Sequence, residues 1–268
     1  MNIFLVMTLS FLLIILFSAT VAYLIMRWCF SPKRHAELVH KFDGINISGL
    51  NAGAIVLLSL GIAFVFSDIS NIHIRAKASL LQEADAIRTL GRISLNIDSE
   101  VGEPLMAATR TYVSDVLQKE WPAIHQGSAR SIRKSSHNAL TALTVMSDIA
   151  YDPFTLSKVP ALTASQLGNL VMRIRAERLI RIEISEYRIG SRGLILATLT
   201  LIASCVILSM AMLKKPAAQY LCIFSFFVIS LSALYLAYAS QNPFAGLDAI
   251  SNAPLQEALD RLKVMKLN

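Results

Sequence analysis

Residues 49–66 read GLNAGAIVLLSLGIAFVF. The stretch carries no charge, and as a helix it is long enough to cross a hydrocarbon core about 30 Å thick. Gly49, Gly53 and Gly61 fall four and eight residues apart, on one helical face. Small residues at that spacing let membrane helices approach closely. The stretch is therefore expected to be the inner packing helix of a membrane bundle. It runs straight into a polar helical pattern near Asp68, so its far end is expected to carry the water-soluble part of the protein.

The rest of the chain fits a membrane setting. Of 268 residues, 54% are hydrophobic and only 16% charged, with a mean hydropathy of +0.55; soluble domains carry about 25% charged residues. Three further uncharged apolar runs stand at residues 3–26, 194–213 and 220–238. Each suits a spanning helix, the open-chain structure that satisfies its own backbone in lipid. The predicted class is an all-α membrane protein. A first transmembrane helix pair occupies 1–66, a helical soluble insert 67–192, a second transmembrane pair 193–240, and a tail with a short amphipathic helix 241–268. The first run has no Lys or Arg before it and is too long for a secretory signal core, so it is expected to be an uncleaved anchor. Trp28, at its boundary, suits an interfacial anchor.

The net charge is +7, and the insert holds sixteen Lys/Arg against thirteen Asp/Glu. These basic residues lack the interleaved aromatics of a nucleic-acid stacking platform, and lipid headgroups and topology account for them. Cys29, Cys205 and Cys222 sit in or beside the apolar runs without metal-ligand spacing and read as small apolar residues. His35 and His40 are five apart, off one helical face; His73, His125 and His137 are scattered. No metal, cofactor or enzyme motif stands out. The four apolar runs contain no Asp, Glu, Lys or Arg, which argues against an ion-coupled transporter.

Within the insert, residues 72–97 place Ile74, Ala78, Leu81, Ala84, Ile87 and Leu90 at helical spacing, continuing the second span into water. A second helix is expected from about Glu103, with Pro104 in its first turn and Pro122 ending or kinking it. A third covers about 129–151, with Ile132, Leu140, Leu143 and Met146 apolar, and Asp152-Pro153 marks a turn. A last helix begins near Thr163 or Ser165 and carries Leu167, Leu170, Val171, Ile174, Leu179 and Ile182. Alternation at 179–186 fits a strand, but Arg173/Glu177 and Glu177/Arg181 are spaced to pair along a helix, and helix is preferred. Lys214, Lys215 and Pro216 form a tight turn. The tail ends in an amphipathic pattern of Leu255, Ala258, Leu259 and Leu262.

Three short segments punctuate this plan: Glu83-Ala84-Asp85-Ala86-Ile87, Lys119-Glu120-Trp121-Pro122-Ala123-Ile124 and Asn242-Pro243-Phe244-Ala245-Gly246. Their order relative to four spans resembles the bacterial bestrophin-like membrane family, a domain of unknown function. There the corresponding segments look like Glu-Ala-Asn-Ala, Glu-Glu-Trp-Pro-Ala and Asp-Arg-Pro-Phe-Ser-Gly. The family-motif positions are thus Glu83, Asp85, Trp121, Pro122, Pro243, Phe244 and Gly246. The chain departs at Asp85, where the family favours Asn, and at Gln241-Asn242, where it favours an Asp-Arg pair. The family is distantly related to bestrophins, pentameric anion channels whose second spanning helix lines the pore.

The resemblance implies a homo-oligomer, pentameric, that conducts inorganic anions across the bacterial inner membrane. On the second span, Asn51 and Ser59 share a face, and Ile55, Ile62 and Phe66 suit an apolar constriction that gates by dewetting. The same polar residues also suit hydrogen bonds to a neighbouring helix. The run Arg173, Arg175, Arg178, Arg181, Arg188 and Arg192 reads either as a positive vestibule, with Arg188 and Arg192 nearest the third span, or as a solvated helix paired with Glu177, Glu183 and Glu186. A non-conducting, membrane-anchored module whose insert binds a partner is the competing function. Basic residues near the span ends number six on one side of the membrane and seven on the other, which fixes no orientation.

Overall fold

The computed structural model describes residues 47–126, 129–186, 199–205, 207, 216–240, 242–245 and 248–265. Its order is α1 Ile47–Leu95, α2 Ser99–Asp115, a π turn Val116–Glu120, α3 Trp121–Gln126, α4 Ala129–Tyr151, α5 Pro153–Lys158, α6 Ala161–Glu186, α7 Pro216–Ala239 and α8 Ala253–Val264. Residues 199–205 are also helical. No strand occurs among the described residues, so the alternating stretch at 179–186 is helix up to Glu186. The expected first span lies outside the described residues, as do Lys214, Lys215 and most of the third span.

The chain divides into two compact units. One comprises Met1–Ser70 and Ile189–Gln241, the other Asn71–Arg188 and Asn242–Asn268. In the first, Leu58, Leu201, Cys205 and Leu234 form one apolar cluster and Val65, Ile69 and Ala237 another. α1 is the one helix among the described residues that is long and apolar enough to cross a membrane; Val228–Ala239 is a shorter apolar helix. α1 runs for 49 residues without interruption, so the apolar stretch at 49–66 and the polar stretch beyond it are one rod.

The second unit is a helical bundle whose core takes Ile87 and Leu90 from α1, Leu105 and Tyr112 from α2, Leu143 and Met146 from α4, Leu167 and Val171 from α6, and Leu255 and Leu262 from α8. The four tail residues expected to be apolar-facing, Leu255, Ala258, Leu259 and Leu262, are all buried. Arg110 anchors the tail helix. Its Nε and Nη2 donate to the Leu262 carbonyl at 3.0 and 2.6 Å, and Nη2 donates to the Met265 carbonyl at 2.8 Å. Carbonyls at a helix C-terminus have no intrahelical partner, so one arginine both satisfies them and meets the negative dipole end.

Three local expectations are corrected. The core stripe of α1 within the insert runs through Ala76, Leu80, Glu83, Ile87, Leu90 and Ser94, in alternating steps of four and three. Ile74 and Leu81 lie off it, 64% and 45% exposed, and on α4 Leu140 is likewise exposed. Counting apolar residues alone misplaced the α1 stripe because a buried glutamate occupies its centre.

The second helix starts at Ser99, not Glu103. Asp98 caps it, its Oδ1 accepting from the Glu100 N–H at 3.1 Å, and a capping acceptor fixes a start more firmly than a proline suited to the first turn. Pro104 is therefore interior. Pro122 does not end the helix either. The Trp121 N–H donates to the Val116 carbonyl, five residues back. This wider turn makes room just before a residue that has no N–H and whose ring crowds the preceding turn.

Asp152 caps α5, accepting from the Phe154 and Thr155 N–H groups at 3.0 and 3.2 Å. At the α1–α2 corner, Gly102 packs against the backbone of Ser94, and a Cβ there would collide with the Ser94 carbonyl oxygen. Gly102→Ala is expected to destabilise by about 1–3 kcal/mol through overpacking, more than alanine's helix propensity returns. A lowered thermal midpoint checks it, and an unchanged one refutes the tight corner.

Candidate functional site

The centre of the insert is a cluster of four charges with almost no access to water. Glu83 projects from α1, Glu120 from the π turn, and Arg178 and Arg181 from α6; Glu83, Glu120 and Arg181 are fully buried and Arg178 nearly so. Arg181 holds Glu83 with both prongs of its fork, Nε to Oε2 at 3.0 Å and Nη2 to Oε1 at 3.1 Å. The Tyr112 hydroxyl donates to the same Glu83 Oε1 at 2.6 Å. Arg178 donates through Nε and Nη2 to Glu120 Oε2 at 3.1 and 2.6 Å, and through Nη2 to the Ser136 carbonyl at 2.9 Å. Arg181 Nη2 also lies 2.9 Å from Glu120 Oε1. Two acids meet two bases, so the cluster is neutral, and charge-assisted paired bonds offset the desolvation of its members.

Helical phase puts these charges inside. The core stripe of α6 runs Ala164, Leu167, Val171, Ile174, Arg178, Arg181 and Ser185, in steps of three and four. Its final third continues the apolar face in arginine. The π turn does the same for Glu120, setting it beside both guanidinium groups. Neither arginine is a solvated charge, and Glu177 is not the partner of Arg181. Arg173 instead meets Gln82, Nη2 to Oε1 at 3.3 Å.

Burial lifts the Glu83 carboxyl above its ordinary range, against the opposing pull of Arg181 and the Tyr112 hydroxyl. Burial and the adjacent Glu83 push the Tyr112 phenol well above its own. Burial lowers the Arg181 guanidinium, but Glu83 and Glu120 outweigh it and hold the group above its usual value. A carboxyl raised on folding holds its proton more tightly in the folded chain. Its contribution is therefore full below the unfolded value near 4.5 and is lost as pH rises through the folded pKa. The melting temperature of the wild type minus that of Glu83→Gln is accordingly expected to fall as pH is raised from 4.5 toward neutrality. A difference that stays flat or rises refutes the raised value.

The tail segment docks beside this cluster. Phe244 is 1% exposed and meets Trp121 edge to face, centroids 5.5 Å apart at 79°. Trp121 in turn lies 5.9 Å from the Arg181 guanidinium carbon. His125 Nδ1 donates to the Phe244 carbonyl at 2.9 Å. Asn242 Oδ1 accepts the Phe244 N–H at 3.0 Å, a local turn that needs a side-chain oxygen, which Asn242 supplies where the family pattern has Arg. Phe244, Trp121 and Glu83, one from each family segment, thus converge, while Asp85 and Pro122 point to solvent, Pro243 is buried and Gly246 lies outside the described residues.

On the apolar part of α1, Ser59 is exposed and Ile55, Ile62 and Phe66 are half-buried. Ile62 packs on the Leu58 cluster and Phe66 on the Val65 cluster. Gly49 and Asn51 belong to α1. A Cβ at Gly53 or Gly61 would meet nothing within 4 Å among the described residues. Arg188 and Arg192 lie outside the described residues. No group of His, Cys, Asp or Glu among the described residues is placed to hold a metal ion. The sequence reading missed Glu83, Glu120, Arg178 and Arg181, with the Tyr112 hydroxyl, as a set; the available signal was four charges of balanced sign at core-stripe positions.

A family model described as a Bestrophin-like domain matches residues 12–255. No curated protein matches. The structure resembles a bacterial bestrophin homologue from Klebsiella pneumoniae, solved as single-substitution variants. One superposes with a TM-score of 0.63 at 14% identity, covering 92% of this chain and 97% of that one. Another gives 0.62 at 16%, covering 93% and 97%. A structure described as a membrane protein gives 0.62 at 14%, covering 94% and 97%. At these identities the structural likeness shows the fold, and the family match spans most of the chain: this protein belongs to the Bestrophin-like domain family.

Proposed function

We propose that the chain is a subunit of a homo-oligomeric membrane channel for inorganic anions, built from four spans, with α1 lining the pore. The observation that carries this reading is α1 itself. It is a continuous rod whose charge-free part leaves Val56 64%, Leu57 62% and Phe64 65% exposed, surface that suits lipid or a neighbouring subunit. Asn51, Ile55, Ser59, Ile62 and Phe66 recur every three or four residues and form one stripe. In a ring of subunits, Asn51 and Ser59 offer hydrogen bonds to an ion losing its water, and Ile55, Ile62 and Phe66 form apolar constrictions that close by dewetting. Arg188 and Arg192, just before the third span, are the proposed basic mouth that concentrates anions. The setting is the bacterial inner membrane, and the family relationship supports the reading.

Planar-bilayer recording of the purified oligomer tests it. Anion current is expected, with Phe66→Ala and Ile62→Ala raising conductance by widening and wetting the constriction. Silence in a verified oligomer overturns the reading. The alternative, a non-conducting module that binds a partner through its insert, is favoured by the exposed Ile74, Leu162 and Leu179. It predicts a monomer in detergent.

A further inference from the structure

Three polar side-chain atoms around Glu120 are buried without a hydrogen-bond partner among the described residues: Arg181 Nη1, Glu120 Oε1 and Ser136 Oγ. Both Glu83 oxygens, the Tyr112 hydroxyl, Glu120 Oε2 and Arg178 Nε and Nη2 are paired, and these three are left over for identifiable reasons. Arg181 spends Nε and Nη2 on Glu83, which leaves Nη1 directed away from that carboxylate. Glu120 Oε1 is close to Nη2 at 2.9 Å, yet off the line of its N–H groups, so the contact is an ion pair without a hydrogen bond. Arg178 occupies Glu120 Oε2 and the Ser136 carbonyl and leaves the Ser136 hydroxyl alone. Arg181 stands on α6, Glu120 on the π turn and Ser136 on α4, so three separate elements bring the three atoms to the cluster.

We propose that the charge cluster holds internal water, bound by Arg181 Nη1, Glu120 Oε1 and Ser136 Oγ. Buried polar groups in native proteins are almost always satisfied, and an internal water typically makes about three hydrogen bonds. The leftover set matches water's own valence. Arg181 Nη1 donates to the water oxygen, Glu120 Oε1 accepts one of its protons, and Ser136 Oγ takes the other or donates. Nothing charged fits as well. An anion would lie against Glu83 and Glu120, and a cation against Arg178 and Arg181, in a cluster whose charges already cancel. A small neutral molecule that both donates and accepts is what the chemistry selects. Water also explains how four charges tolerate this depth, since a hydrated pair keeps part of its solvation. The inference stands whether or not the protein conducts.

The test uses the full-length protein in detergent. A structure at better than about 2 Å is expected to show a peak at hydrogen-bond distance, about 2.6–3.2 Å, from at least two of the three atoms. A well-resolved cluster with no such peak overturns the proposal. Ser136→Ala gives an independent sign. If the hydroxyl holds water, its loss lowers the melting temperature by about 2–4 °C. If the hydroxyl is idle, deleting it leaves the midpoint unchanged or raises it, and that result overturns the three-partner site.

Discussion

Arg181→Met is expected to lower the melting temperature of the full-length protein by on the order of 10 °C. The side chain is fully buried, bonds Glu83 and lies against Glu120 at once. Removing one partner of a buried ion pair leaves an uncompensated charge and costs about 3–5 kcal/mol, and each kcal/mol shifts the midpoint by about 2–4 °C at this size. Methionine fills similar volume, so the loss is electrostatic rather than a cavity. Arg173→Met on the same helix is the control. Arg173 is exposed and, among the described residues, meets Gln82 at 3.3 Å, so its replacement is expected to stay within about 0.5 kcal/mol.

Neutrality supplies the sharper form of this experiment. The cluster holds two acids and two bases, so losing any one leaves a net charge cut off from bulk solvent. Glu83→Leu combined with Arg181→Met removes one of each sign and leaves Glu120 with Arg178, already bonded through Oε2. The double variant is therefore expected to be more stable than either single variant. Additive losses would show that the four charges do not act as a unit, because coupling between contacting groups is what a double-mutant cycle measures.

That cluster also marks where the sequence stopped being legible. Helix identity was readable throughout the insert. α4 runs Ala129–Tyr151, the range its pattern predicts, and Leu255, Ala258, Leu259 and Leu262 are the buried face of α8. Apolar period determines these because nothing competes with it. Ile74 and Leu81 misled for the opposite reason: the core face of α1 is centred on Glu83 and Ser79, polar residues that count against burial until their partners are known. Those partners are remote. Glu83 meets an arginine 98 positions later, and Glu120 one 58 positions later. A charge at a core-stripe position is a signal, but its pairing is settled only by tertiary contact. The prolines failed differently. The sequence places Pro104 in a first turn and has Pro122 end or kink the helix; an aspartate cap upstream makes Pro104 interior, and a π turn carries the helix through Pro122. On the apolar part of α1, the sequence supplies a face of Asn51, Ile55, Ser59, Ile62 and Phe66; in the proposed channel, what that face meets depends on neighbouring copies of the chain.

Phe244→Ala is expected to cost about 3–5 kcal/mol, the range for truncating a buried phenylalanine. The ring fills a cluster with Ala76, Ala123, Ile124, Ile132 and Ile184, contributed by α1, α3, α4 and α6, so the cavity would open where four helices meet. It also leaves Trp121 without its edge-to-face partner, and such pairs add about 0.5–1.5 kcal/mol beyond area. Three features keep the tail from simply detaching. The Phe244 N–H and carbonyl bond to Asn242 and His125, the Ile250 N–H donates to the Pro243 carbonyl at 2.8 Å, and α8 retains its own buried leucines. Amide exchange in Ala253–Val264 should therefore rise less than exchange around Phe244 and Ile250, even as the global midpoint falls. Phe244→Leu, which keeps most of the volume, should recover much of the midpoint. If Phe244→Ala leaves the midpoint where it was, the segment is held by its backbone bonds alone, and the convergence of Trp121 with Phe244 carries no stability. If instead α8 exchanges freely, the aromatic contact is what keeps the tail docked, and the leucines of α8 depend on it.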